Sequence, residues 1–447
     1  MFKRKVYDKL LDWKQNDSKD YAVLLEGARR VGKSTIAEEF AKSEFDSYIM
    51  IDFSKATKEI LAIFDDIADL DLFFLRLQTQ TGIRLIKGKS VIVFDEIQLM
   101  PKVRQAIKHL VKDGRYSYIE TGSLISIKKN VKDIVIPSEE IKIPVYPMDY
   151  EEFMWATGNN TYEMLADFAK SGKAIGNETN RKLMRDFRIY MAVGGMPQAV
   201  SAYVSGEDFI QIDKIKRRII DLYKDDFVKL DDRGRISAIF ESIPAQLSMK
   251  KKFFLSSATG KRTTQKDKDL LQDLLSSKTV LICHNVTEPG STLAQSVDFD
   301  NFKLDMADIG LFTTMLFNDK SRVHADIYAK LLSDKLDANL GYMYENAVAQ
   351  IINSYGAELY YHTWTPKGSS HSREVDFLLA DRTKVVPIEV KSSNVNSHKS
   401  IDEFSMKYSK VAGRRILFSQ KDVSNVEMLE CKPIYMAPMV IGQIVEN

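Results

Sequence analysis

The stretch Gly27-Ala28-Arg29-Arg30-Val31-Gly32-Lys33-Ser34 constrains the fold of this chain more than any other. It fits G-x-x-x-x-G-K-[ST], with the apolar run AVLLE before it and the helix-compatible TIAEEFAK, starting at Thr35, after it. Glycines let backbone N–H groups come against phosphate oxygens, an approach that side chains would obstruct. Lys33 is then placed to reach the β- and γ-phosphates of a nucleoside triphosphate. Ser34 is placed to ligate magnesium, and the following helix points its positive end at the phosphates. ATP and Mg2+ are therefore the expected cofactors, and a strand–loop–helix start implies an α/β domain.

Strand-like runs fall at 22–26, 48–52, 90–95, 116–121 and 141–145, separated by longer amphipathic or mixed segments. The near-continuous run VIVF at 91–94 marks a strand covered on both faces. It leads into Asp95 and Glu96, with Gln98 beyond. Adjacent carboxylates at the end of a buried strand are costly unless paired or metal-bound. Asp95 is placed to bind magnesium through water, and Glu96 to face the γ-phosphate and activate the attacking water. The next run ends in Thr121-Gly122-Ser123, where Thr121 or Ser123 is placed to sense the γ-phosphate; a Thr-Gly-Ser turn closing a strand reads the same way.

A chain of 447 residues is long enough for about three domains. With 44% hydrophobic and 28% charged residues it has the composition of a folded globular protein. Lysine plus arginine number 64 against 62 acidic residues, so the whole-chain charge announces neither a nucleic-acid nor a membrane binder, and any basic surface is local. The two cysteines, Cys283 and Cys431, lack metal-ligand spacing and read as free thiols in a reducing compartment. The start has no signal-peptide core, and no run approaches the roughly 20 apolar residues of a membrane span. The cytoplasm is the expected location.

Beyond Pro147 the pattern turns helical, with helices starting near Tyr150 and Asn180 and a break at Gly194-Gly195 before Pro197. A helix-like segment at 265–275 precedes strand-like TVLICHNV and FKLDMADIGLF, an order similar to a winged helix. Basic clusters at 249–252, 260–262 and 266–268 suit phosphate contact or a solvated helix face, and Asp267, Asp269 and Asp273 dilute them. Further on come a helix at 337–354, strands at 373–380 and 385–391 joined by a turn at 381–384, a helix at 399–410 and a strand at 415–419. Here lie Asp376 in REVDF and Glu389-Val390-Lys391 in PIEVKS. Positions 389 and 391 share a strand face, and a hairpin brings Asp376 beside them. The two carboxylates suit magnesium, and Lys391 suits positioning water and stabilising charge on a phosphate. A charged hairpin with a cross-strand salt bridge explains the same residues.

LLEGARRVGKST, VIVFDEIQLM, IETGS, PVYPMDYEEF, YMAVGGMPQAV, FKLDMADIGLF, the helix containing Tyr344-Glu345-Asn346, and REVDF followed by PIEVKSS occur in this order along nearly the whole chain. Together they resemble the bacterial and archaeal AAA-type (AAA+) P-loop ATPases that carry a C-terminal PD-(D/E)xK nuclease-like domain of uncharacterised function. The resemblance implies a P-loop NTPase parallel sheet over 1–147, a helical lid over 148–235, a winged-helix-like domain over 236–320 and a restriction-endonuclease-like α/β domain over 321–447. It adds Glu345 to Asp376 and Glu389 as a metal-site acid, and places Pro197 on the lid near the nucleotide, where a plain helix break is the alternative. The arginine expected shortly before strand 141–145 is missing from DIVIPSEE at 133–140, which leaves Arg104 and Arg115 as arginine-finger candidates, each explained equally well as a solvated helix or loop residue. The function implied is an ATPase coupled to a magnesium-dependent nuclease acting on DNA. Its rivals are an ATP-switched regulatory protein that binds a protein partner or nucleic acid without cutting, and a nucleotide-dependent DNA binder whose Asp376, Glu389 and Lys391 are only structural. Ring assembly is suggested by AAA kinship, and the oligomeric state stays open.

Overall fold

The computed structural model describes residues 1–122, 137–249, 252–260, 263–290, 292–317, 324–333, 341–366, 368–392 and 398–446. The chain divides into two compact units, residues 1–146 with 276–278, and residues 147–275 with 279–447.

In the first unit the apolar runs become β1 (Ala22–Glu26), β2 (Ser47–Asp52), β3 (Ser90–Asp95), β4 (Ser117–Gly122) and β5 (Glu140–Pro144). They form a parallel sheet in the order β2-β3-β4-β1-β5. Every residue of β3 is buried, as its unbroken apolar run requires. The helices are α1 (Lys5–Asn16), α2 (Lys33–Glu44), α3 (Lys58–Ile63), α4 (Leu70–Thr81) and α5 (Pro101–Asp113). Phe53, Phe64, Phe73, Phe94 and Tyr118 pack ring to ring in the core. Such aromatics bury on the order of 200 Å² apiece and dominate the energetics. Because β4 lies between β1 and β3, the C-terminal ends of all three emerge side by side, the edge at which open α/β sheets bind ligands.

The second unit carries a mixed eight-stranded sheet in the order β12-β13-β11-β10-β9-β8-β6-β7. Its strands are β6 (Val280–Val286), β7 (Val297–Met306), β8 (Leu359–Trp364), β9 (Arg373–Asp381), β10 (Lys384–Val390), β11 (Arg415–Ser419), β12 (Ser424–Val426) and β13 (Leu429–Pro433). The ribbon read at TVLICHNV and FKLDM forms as antiparallel β6–β7, but β6 also pairs in parallel with β8 and extends the C-terminal sheet. Two buried amides on the helix Gly341–Ser354 lock this arrangement. Asn346 accepts from Met306 N–H (2.8 Å) and donates to Met306 C=O (3.0 Å), while Gln350 accepts from Ile309 N–H (2.8 Å) and donates to Met148 C=O (3.2 Å). Buried backbone groups need such partners.

FKLDMADIGLF is a strand only as far as Met306, because Asp308 accepts from Leu311 N–H (2.8 Å) and caps the helix Ile309–Leu316. The other oxygen of Asp308 accepts from Gly195 N–H (2.6 Å). Gly194, at φ +84°, abuts Gly310, where an added Cβ would sit 2.7 Å from the Gly310 Cα. The glycine pair of YMAVGGMP and the glycine of ADIGLF are thus two halves of one backbone-to-backbone joint. Among the described residues no helix is long and apolar enough to cross a membrane.

Candidate active sites

The phosphate loop leaves β1 at Glu26 and enters α2 at Lys33. Gly32 adopts φ +97° and Arg30 φ +72°, left-handed conformations that suit glycine at the first position. Gly27 is required by packing, since a Cβ there would lie 2.2 Å from the carbonyl oxygen of Val145. Ala28 and Val31 are buried, whereas Arg29, Arg30 and Thr35 are exposed. The Lys33 ammonium donates to the carbonyls of Gly27 (3.0 Å) and Ala28 (2.9 Å). Burial lowers its pKa to about 8, with Glu96 and Asp95 opposing the shift.

Ser34 Oγ donates to Asp95 Oδ1 (2.7 Å), and Thr121 Oγ1 donates to the same oxygen. Thr121 Oγ1 in turn accepts from Glu96 N–H (3.2 Å). Glu96 sits at φ +56°, an αL conformation that a non-glycine residue holds only where its surroundings impose it. Gln98 tethers its carboxylate through Oε2. Four residues chosen from three separate motifs are therefore joined in one network at the strand ends. Ser123 lies outside the described residues.

Neither arginine-finger candidate is free. Arg104 is 2% exposed and forms a two-pronged ion pair with Glu140 (3.1 and 2.9 Å). Arg115 pairs with Asp113 and Asp71 (2.6 Å each) and lies over the Phe74 ring. Arg104 is thus a buried structural pair and Arg115 a partly exposed one. Pro197 opens the helix Pro197–Val204 in the second unit, directly after the Gly194–Gly195 joint.

In the second unit, a two-residue turn joins β9 to β10 and brings Asp376 beside the end of β10. Asp376 accepts from Val390 N–H (2.8 Å), and Lys391 donates to Glu389 Oε1 (2.6 Å). Glu389 is 3% exposed, and its Oε2 has no hydrogen-bond partner. Burial, reinforced by Asp376, raises its pKa to about 7. Burial pulls the Lys391 ammonium down, but Asp376, Glu389 and Glu345 together hold its pKa above the usual lysine value. Glu345 lies on the helix Gly341–Ser354, within electrostatic reach of that lysine.

Sequence reading missed Lys303 of β7, which is 7% exposed and pairs with Glu374 (2.5 Å). Burial opposes its charge, yet Glu374, Glu345 and Asp376 keep it firmly protonated. Lys303 and Asp305 alternate on one face of a strand within an apolar run, a costly pattern that was the available signal. Among the described residues no group of three or more His, Cys, Asp or Glu side chains is set to hold a metal ion. His362 bonds Val286 C=O and Tyr408 and stacks on Trp364, as a core histidine does. In the basic clusters, Lys252 bonds Asn301 and Lys268 pairs with Asp300 (2.8 Å), while residues 250, 251, 261 and 262 lie outside the described residues. Cys283 and Cys431 are free and buried.

A family described as "AAA domain" matches residues 19–154, which hold the loop, Asp95–Glu96 and Thr121. Residues 19–154 are thus similar to an AAA domain. Two domains of unknown function match residues 184–322 (DUF8612) and 340–435 (DUF4143). An uncharacterized protein of Methanocaldococcus jannaschii is 25% identical over 197 residues, 42% of this chain. The chain spans 40% of the length of that curated relative. Among solved structures, a Signal Transduction ATPase with Numerous Domains protein with a tetratricopeptide repeat sensor from Pyrococcus horikoshii aligns at a TM-score of 0.27. It is 11% identical, over 80% of this chain and 50% of its own. Cdc6p from Pyrobaculum aerophilum aligns at 0.22, with 14% identity over 74% of this chain and 93% of its own. At these scores the domain assignment rests on the family match and the loop geometry.

Proposed function

We propose that this chain is an ATP-driven switch whose first unit binds and hydrolyses ATP with magnesium and whose second unit cleaves phosphodiester bonds in DNA. The observation that carries the ATP half is the hydrogen-bonded run from Ser34 through Asp95 to Thr121 and Glu96, formed where β1, β3 and β4 end together. Lys33 exchanges the carbonyls of Gly27 and Ala28 for the β- and γ-phosphates of entering ATP, which supply the counter-charge its burial lacks. Ser34 and Asp95 fit magnesium, as a hydroxyl and a carboxylate oxygen already 2.7 Å apart. Bound there, the ion would offset charge on the phosphates. Glu96, its carboxylate held by Gln98, takes the proton of the attacking water.

For the second unit, the partnerless buried Oε2 of Glu389 beside Asp376 supports a cation-binding role, with Glu345 as a further acid. A metal bound there would supply Lewis acidity toward the scissile phosphate. Lys391 orients the attacking water and offsets charge developing on the phosphate. A second reading has an observation in its favour. Lys391 is already paired with Glu389, and no three-ligand group is set among the described residues. On that reading the second unit binds DNA or a protein partner under ATP control and does not cut.

A paired assay decides between them. The purified chain is followed for ATP hydrolysis and for cleavage of single-stranded and duplex DNA in magnesium or manganese, beside Lys33→Ala and Asp376→Ala. Cleavage lost in Asp376→Ala supports the nuclease. Hydrolysis without cleavage under every condition discards that half and leaves the ATP-switched binder. Nucleotide binding that persists in Lys33→Ala counts against the loop itself.

A further inference from the structure

Two features tie the phosphate loop to the segment through which the chain leaves the first unit. Arg4, just before α1, is 6% exposed, and its guanidinium donates to Val31 C=O (3.1 Å) and to Tyr146 C=O (2.6 Å). At the other end of the loop, Val145 N–H donates to Glu26 C=O (2.7 Å), and the Val145 carbonyl packs so closely on Gly27 that only glycine fits. Tyr146 is the last residue of this stretch of the first unit, and Pro147 begins the second. Residues 145 and 146 therefore hold both ends of the loop, one by direct packing and the other through a buried cation.

A planar guanidinium suits this task. Its fixed fork spans two carbonyls at once, where an ammonium is a single compact charge. A buried cation is tolerated only while its hydrogen bonds are kept, so a shift of Val31 C=O must be followed by Arg4 or break a charged hydrogen bond. We infer that Arg4 is a positioning residue of the nucleotide site, which sets the back of the phosphate loop and passes its state to residues 145 and 146. The inference rests on the ATP reading of the loop.

The test uses the full chain and a fluorescent ATP analogue, with Arg4→Ala, Arg4→Lys and Lys33→Ala compared with wild type after circular dichroism shows each to be folded. Arg4→Ala is expected to weaken nucleotide affinity by about ten- to a hundredfold, and free guanidinium to restore part of it. Arg4→Lys is expected to fall between, because it keeps the buried charge but not the guanidinium's fixed fork. Hydrogen exchange gives the readout that a merely structural role would not move. Nucleotide should alter exchange in a peptide spanning residues 143–148 in wild type. In Arg4→Ala at saturating nucleotide, only the loop peptide should respond. Wild-type affinity in both Arg4 variants, or an unchanged response at 143–148, overturns the inference while leaving the ATP reading intact. Should Arg4→Ala not fold, Arg4→Lys carries the same two readouts. Absence of nucleotide binding in wild type overturns the ATP reading itself.

Discussion

Lys33 and Glu389 are both buried ionisable groups, and each is held in the fold against the preference of its charged form. Lys33→Met removes the loop lysine placed to reach the phosphates, and with it a buried ammonium. Nucleotide affinity should fall by at least about a hundredfold, whereas the melting temperature without nucleotide should hold or rise. Thermal melts with and without ATP check both halves. For Glu389 the sign runs the other way with pH. Its folded pKa, about 7, lies above the usual 4.5, so between those values the native state keeps a proton that the unfolded chain has released. Stability falls as pH rises through that window, by on the order of 3 kcal/mol at most. Glu389→Gln should remove that slope and gain on wild type from pH 4.5 to 7 in urea titrations; parallel curves would overturn the assignment. Lys33, Ser34, Asp95 and Thr121 were legible because each falls at a strand end or a fixed loop spacing. Arg4 and Lys303 were not, because their partners lie 27, 142 and 71 residues away; the charged pair Lys303 and Asp305 within an apolar run marks a buried charge but does not name its partner.

At the scale of elements, glycines separate into those fixed by packing and those fixed by conformation. A Cβ on Gly195 would stand 1.9 Å from the carbonyl oxygen and 2.6 Å from the amide nitrogen of Met148, so backbone would have to shift. Gly172 instead caps the helix Tyr162–Ser171 at φ +66°, with nothing within 4 Å of an added Cβ. Gly195→Ala should therefore cost about 2–4 kcal/mol, against about 1 kcal/mol for Gly172→Ala. Urea denaturation of the two variants side by side checks the ratio, and equal losses would refute the packing argument. The five strands of the first unit were legible to within a residue or so, because buried parallel strands are short apolar runs bounded by polar ends. The segment 302–312 was harder to divide. Its apolar residues continue across Asp308, and only the cap, an aspartate directly before an apolar run, marks where strand gives way to helix.

The ribbon β6–β7 joins β8–β13 although 52 residues separate the end of β7 at Met306 from the start of β8 at Leu359. The parallel pairing of β6 with β8 leaves no local trace in sequence, whereas a hairpin such as β9–β10 announces itself by a short polar turn. The two matches to domains of unknown function end and begin between residues 322 and 340, so they divide one sheet. A fragment of residues 321–447 would lose the neighbour of β8, the Lys303 counter-charge to Glu374, and the partners of Asn346 and Gln350. Each buried polar group left without a partner costs about 1–3 kcal/mol. The two amides lose four hydrogen bonds between them, a loss that approaches the roughly 5–15 kcal/mol that holds a whole domain together. Residues 321–447 alone should therefore be unfolded or aggregated by circular dichroism and gel filtration, while residues 147–447 should melt in one cooperative transition. A folded, monomeric 321–447 fragment would show that β8 and the helix Gly341–Ser354 do not need the ribbon. Lys303 would then be a passenger at the carboxylate cluster, not a part of how that cluster is held.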